Sequence, residues 1–171
     1  MKKLALTLLL TLSLTTASAD NFIHQLKQAV GSSPEVNINL GSWLLKTMAN
    51  LSDDEDAQEA KALMQGLDKI KVTVFDLENN ANKTAIHSIV SSKINNLSNQ
   101  GYETLVKVKD EEEQVYIVAK VSGKILQDAM IIALDDEDEL VVIKLVGNVD
   151  LEQLALISDE FDVDLDDVLD I

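Results

Sequence analysis

Apolar positions along this chain switch between two periods, 3.6 and 2, and the switches mark out its elements. Phe22, Ile23, Leu26, Ala29 and Val30 recur at helical spacing, and Gly31, Ser32, Ser33 and Pro34 stop that helix. Val36 and Ile38 then alternate with Glu35, Asn37 and Asn39, which predicts a short half-buried strand. Gly41 and Ser42 open a second helix carrying Trp43, Leu44, Leu45 and Met48. Ser52-Asp53-Asp54-Glu55 offers a capping box for a third, which runs through Ala57, Ala60, Leu63 and Met64 to Gly66. From Lys69 the period is two, with Ile70, Val72 and Val74 on one side and Lys69, Lys71 and Thr73 on the other, the pattern of a strand with one wet face. Asn79, Asn80 and Asn82 form a turn before a fourth helix with the stripe Ala85, Ile86, Ile89, Val90, Ile94 and Leu97.

Four apolar runs follow Gly101, at Tyr102–Val108, Val115–Val121, Ile125–Leu134 and Leu140–Val146, separated only by Gly, Lys, Ser and acidic residues. Tight turns between short apolar runs predict an antiparallel meander. The first two runs alternate plainly, whereas the last two are apolar on both sides, as in strands covered on both faces. An internal element or another molecule must cover the second face. Gly147-Asn148-Val149-Asp150 closes the sheet, and Asp150 caps a last helix begun by Leu151, Leu154 and Ala155. The fold class is therefore α+β, a single antiparallel sheet of about six strands with amphipathic helices packed on it. Strand order is not encoded in such a pattern.

Residues 1–19 stand apart from that domain. Lys2 and Lys3 precede an apolar run from Leu4 to Leu14 that ends at Ala17-Ser18-Ala19, the layout of a signal peptide. The run is shorter than the roughly 20 apolar residues that cross a bilayer, so no stable membrane anchor is expected. The expected product is exported, periplasmic or secreted after cleavage following Ala19, with one domain over residues 20–158 and an acidic tail over 159–171. Losing Lys2 and Lys3 leaves 12 lysines against 30 acidic residues, a net charge of −18, with neither arginine nor cysteine. A cysteine-free exported domain has no disulfides and depends on its core. Such an anionic surface argues against nucleic acid as a partner, because counterion release needs clustered cations.

Candidate chemistry is sparse. His24 and His87 lie on predicted helices without a His, Cys or Glu at i+3 or i+4, short of the three or four ligands of a zinc site. Ser122-Gly123-Lys124 lacks the glycine-rich loop of a phosphate site and reads as a hairpin turn. The acidic clusters at 53–56, 110–113 and 135–139 fall in turns or caps, where solvated loop charge and protection of sheet edges explain them. Asp162, Asp164 and Asp166 have the every-other-residue spacing of a calcium loop. However, Asp167 stands where that loop needs Gly, and no bidentate Glu follows. Weak divalent cation binding is all this leaves. No catalytic residue, metal set or cofactor is expected, and the reading leans against an enzyme.

The string Gly101-Tyr102-Glu103-Thr104-Leu105-Val106, with Glu139-Leu140-Val141-Val142-Ile143 and Gly147-Asn148-Val149-Asp150-Leu151-Glu152-Gln153-Leu154, resembles the exported bacterial family filed as domain of unknown function 4252. The resemblance extends to the signal peptide, the Val36–Leu45 segment and the strand Ile70–Val74. It implies no established activity and no catalytic residue, only an envelope-stress setting; the acidic tail departs from the family pattern. The expected role is that of a non-catalytic accessory or interaction protein with a protein partner or self-association. The alternative is a small-ligand carrier or enzyme with the two-faced strands as pocket wall. The candidate interaction surface is Met130, Ile132 and Leu134, with Val141, Ile143 and Leu145, and with Phe161, Val163 and Leu165 of the tail.

Overall fold

Both periods survive in the computed structural model, which describes residues 18–51, 58–77, 81–110, 113–135 and 138–151. In chain order the elements are α1 (Ser18–Val30), β1 (Val36–Gly41), α2 (Ser42–Leu51), α3 (Gln58–Gly66), β2 (Leu67–Asp76) and α4 (Lys83–Asn99). The meander follows as β3 (Glu103–Lys109), β4 (Glu113–Ser122), β5 (Ile125–Asp135) and β6 (Glu139–Asp150). The six strands make one sheet in the order β1-β2-β6-β5-β4-β3, every pair antiparallel. The fold is thus the α+β arrangement that the periodicity predicts. What the sequence hides is that β6 inserts between β2 and β5, so that the meander is joined to the β1–β2 pair through its last strand.

Local chemistry fixes the helix ends. The Asn82 side chain accepts from the Ala85 backbone N–H at 3.0 Å, so the predicted turn asparagine is the N-cap of α4. At the other end Gly101 adopts φ +86°, and its N–H donates to the Ser98 carbonyl while the Tyr102 N–H donates to that of Leu97. This pair of reverse bonds is a Schellman closure; it requires a residue tolerant of the left-handed region, and Tyr102 and Leu97 pack together into the core behind it.

The sheet divides its core between two faces. On the first, α1 and α4 cover β2, β6, β5 and β4, enclosing Phe22, Leu26, Ile86, Phe75, Ile132 and Leu140 among others. On the second, Leu45 of α2 and Leu63 of α3 pack over one end of the strands, on Leu67, Leu126, Ala129 and Val149. The expectations for β1 and β2 do not hold here. β1 is exposed on both sides except at Leu40, with Val36 at 36% and Ile38 at 44%. In β2 the supposedly wet side leads from Lys71 through buried Thr73 to buried Phe75 beneath the helices, while Val72 and Val74 face outward and are only partly covered. Nor does Gly147–Asp150 close the sheet; β6 runs on through it, with Leu126 paired to Val149 and Ile125 to Asp150. The capping box at 52–55 and everything after Leu151 lie outside the described residues.

Gly147 is needed where β6 passes the start of β2. A β-carbon built on Gly147 would sit 2.7 Å from Leu67 Cα, and one on Gly66 would sit 2.6 Å from the Asn148 carbonyl oxygen. Neither neighbour can swing aside, since both are backbone. Gly147→Ala is therefore expected to destabilise the fold by about 1–3 kcal/mol as overpacking, lowering the thermal midpoint by several degrees. Gly41→Ala, at a site with nothing within 4 Å of its β-carbon, should shift it far less in the same calorimetric comparison.

Candidate functional site

Strand alternation assigns each residue to a face, and the register aligns the outward residues of the second face into rows that cross the whole sheet. One row is Ile38, Val72, Ile143, Ile131, Ile117 and Val106; the next is Val36, Val74, Val141, Ala133, Val115 and Val108. All are apolar, most are β-branched, and not one is fully buried. Val108 on the far edge strand is 50% exposed. At one margin the strip runs under the end of the sheet packed by α2 and α3. At the other it ends on carboxylates: Asp76 pairs with Glu139 and Glu113 with Asp135, and continuing the Leu134–Leu140 register sets Asp135 opposite Glu139. Four adjacent strands thus contribute one acidic side chain each to a single row on this face.

The charges are segregated. Lys69, Lys71, Lys107, Lys109, Lys120 and Lys144, all the lysines of the strands, project from the first face by the same alternation. Lys107 accordingly stands over the Tyr116 ring, 6.0 Å from its centroid. The acidic row forms no metal cage, since no group of three or more His, Cys, Asp or Glu among the described residues is arranged to hold an ion. On α2, Trp43, Leu44 and Met48 are also exposed, at 77%, 38% and 45%.

The first face carries a polar cluster at the margin of its core. Lys144 Nζ lies 3.3 Å from Asp128 Oδ2, while Asp128 Oδ1 is buried with no hydrogen-bond partner among the described residues. Lys93 of α4 approaches the pair, and its pKa is lowered, first by burial and then by Lys144, with Asp128 opposing. Its ammonium also stands 5.5 Å from the centroid of the Phe22 ring, a favourable cation–π distance. The Tyr102 phenol is pushed well above its ordinary value, first by burial and then by hydrogen bonding to Asp128 and by that carboxylate's charge. One carboxylate facing two ammonium groups and a phenol that holds its proton is a structural clasp between α4, β5 and β6.

The histidines are separate from one another. His24 Nε2 lies 3.1 Å from the Gln28 amide nitrogen on the surface of α1. The Gln114 amide nitrogen lies 3.2 Å from His87 Nδ1, tying α4 to β4, and the Tyr116 hydroxyl donates to Gln114 Oε1 at 3.3 Å. The grooves on the helical side run between α1 and α4. The larger of two, of about 570 Å³, is lined by polar Gln25, Gln28, Asn82 and Ser88 and by apolar Ala29, Ala85 and Ile89. No helix among the described residues is long and apolar enough to cross a membrane.

The residues expected to form an interaction surface fall on both faces. Met130, Ile132 and Leu134 are buried in the first core cluster beneath α1 and α4 and are interior residues. Val141 and Ile143 stand in the open rows, and Leu145 packs in the second cluster. Phe161, Val163 and Leu165 lie outside the described residues. The partners that register adds to Val141 and Ile143 are Val72, Val74, Ile131, Ala133, Val115 and Ile117, together with the carboxylate row. The odd-numbered half of β5 was visible in the sequence as apolar on both sides; only strand pairing tells which half is covered.

Residues 31–157 match the family model described as Domain of unknown function (DUF4252). The match spans well over half of the chain, which belongs to this family as the resemblance of its Gly101–Val106 and Glu139–Leu154 motifs implied. The matched segment contains all six strands and so the whole open face. No curated protein and no solved structure matches the chain.

The two faces should respond differently to substitution. Ile132→Ala, in the covered core, is expected to cost about 2–5 kcal/mol, whereas Ile131→Thr on the open face should stay within about 1 kcal/mol; urea unfolding of the two variants checks this. Within the polar cluster, Asp128→Asn should move the Tyr102 ionisation to lower pH while leaving it above the ordinary phenol range, because burial is its largest cause. The tyrosinate absorbance titration, with Tyr102→Phe as control, reads that shift. Because the folded value lies above the unfolded one, the contribution of Tyr102 to stability is whole below about pH 10 and is lost as pH rises beyond it.

Proposed function

We propose that this member of the DUF4252 family is a non-catalytic, exported accessory protein that holds a protein partner against the open apolar face of its sheet. The two apolar rows across all six strands carry the reading. Exposed apolar patches of several hundred Å² on soluble domains mark interaction sites. Five strand-to-strand steps of about 4.8 Å and two rows of side chains make a strip of about 24 by 12 Å, or roughly 300 Å². At about 25 cal/mol per Å², covering it is worth at most roughly 7 kcal/mol, comparable with the roughly 4–15 kcal/mol that association costs, so contacts at its polar margin must add to it.

Export is supported by Lys2, Lys3, the Leu4–Leu14 run and Ala17-Ser18-Ala19. Cleavage after Ala19 would leave Phe22, Leu26 and Val30, the residues of α1 that pack in the core, on the mature chain. The envelope-stress setting rests on the family resemblance alone. A carrier or enzyme using the same strands as a pocket wall would need a hollow with convergent polar groups. The grooves described above lie elsewhere, between α1 and α4.

A photo-crosslinking residue placed at Ile131 should give one discrete protein adduct in the native envelope, and the same residue at Asn95 on the exposed side of α4 should give none. Free monomer at both positions overturns the docking role. A small molecule that co-purifies without any adduct favours the carrier instead.

A further inference from the structure

We infer that the partner of the open face is a single amphipathic helix of about 16 residues with one cationic edge, presented by another protein. This deepens the docking role proposed above and rests on it. Three features of the face select such an occupant. The first is its proportion. A strip crossing six strands is about 24 Å long, which a helix rising 1.5 Å per residue spans in about 16 residues. Its two rows, about 7 Å apart along the strands, match the width of one helix rather than that of a second sheet. The second is its chemistry: β-branched side chains supply a continuous apolar floor with no lysine projecting from any strand. The third is its boundary. Asp76, Glu139, Asp135 and Glu113 line one long side of the strip, so a helix lying there brings whatever residues flank its apolar stripe against four carboxylates.

The other occupants fit less well. A second copy of the chain would bring the same strip and the same acidic row, docking one strongly anionic molecule, net charge −18 after cleavage, on another. The chain's own residues 159–171 carry seven carboxylates in thirteen positions, which would meet the acidic row with like charge. A helix whose stripe is edged by Lys or Arg meets it with opposite charge, and that complementarity sets both the direction in which the helix lies and the partners it excludes.

Two synthetic 16-residue helices test this on the full mature chain. They share one leucine and isoleucine stripe and differ only in carrying lysine or glutamate along one edge. Anisotropy titrations of the labelled peptides should show the lysine helix binding about tenfold tighter at low salt, with the gap closing in 1 M salt as the exposed pairs are screened. Glu113→Gln combined with Glu139→Gln, at two exposed positions, should narrow the gap to about threefold without moving the thermal midpoint. Ile131→Asp should abolish binding of both peptides. Equal affinities for the two peptides, at a face that still crosslinks a protein in the envelope, overturn the charge selection and leave the docking role standing. Binding that appears only after deletion of residues 159–171 assigns the face to the chain's own tail and overturns the inference. A dimer in sedimentation that Ile131→Asp dissociates assigns it to a second copy, with the same result. No binding of either peptide together with no crosslink at Ile131 removes the docking role itself.

Discussion

The alternation of β5 and β6 is the constraint on which the other features depend. Each presents apolar side chains on both sides, yet α1 and α4 can cover only one side of the sheet, and they take the side of Ile132, Leu134, Leu140 and Val142. The residues between these are committed to the opposite face by the two-residue period of the strand, whether or not anything covers them there. A one-residue slip of register would exchange the two sets. It is resisted because the covered set holds Phe75, Ile86 and Leu26 in contact, whereas among the described residues the other set meets only α2 and α3 at one end of the strands.

Polar groups follow the same division. On the covered side the lysines stand around the rim of the helical layer, where Asp128 clasps Lys144 and approaches Lys93 and Tyr102. These charges cost desolvation, and the buried Oδ1 of Asp128, without a hydrogen-bond partner among the described residues, is part of that cost. The compensation is geometric: α4, entering at the Asn82 cap and leaving at Gly101, is pinned to β5 and β6 through its own Lys93 and the residue that follows its closure, Tyr102. On the open side the acidic residues gather at the strand ends beside the apolar rows. One face thus carries the strand lysines and the larger hydrophobic interior, and the other the carboxylate row and the half-buried hydrophobic strip.

Most of the elements were legible in the sequence because periods of 3.6 and 2 are direct images of helix and strand. The ends of α4 were legible as a turn at Asn82 and a break at Gly101; that Asn82 caps the helix was not. The assignment of faces was not legible. Ile70, Val72 and Val74 look like a buried stripe and Lys69, Lys71 and Thr73 like a wet one, but the helices pack on the side that ends in Thr73 and Phe75. Periodicity reports that two sides differ without reporting which side a distant helix chooses. The same gap separates Met130, Ile132 and Leu134, which are interior, from Ile131 and Ala133, which belong to the open strip. The carboxylate row was invisible for a related reason: Asp76, Glu113, Asp135 and Glu139 are scattered over more than sixty positions and become neighbours only through strand order.

That order has a consequence for how the chain is made. β6 is synthesised after the five strands it unites, and it lies between them, with β2 on one side and β5 on the other. Until it emerges, a nascent chain holds two unconnected pieces, a β1–β2 ribbon and a β3–β4–β5 ribbon, each ending in an unpaired edge that waits for the same strand. A two-stranded ribbon is barely stable in water. The β1–β2 piece therefore gains its sheet only when β6 arrives, and the union of the two pieces is deferred to that last strand. The chain's two waiting edges are, for that interval, the most adhesive surfaces it will ever expose.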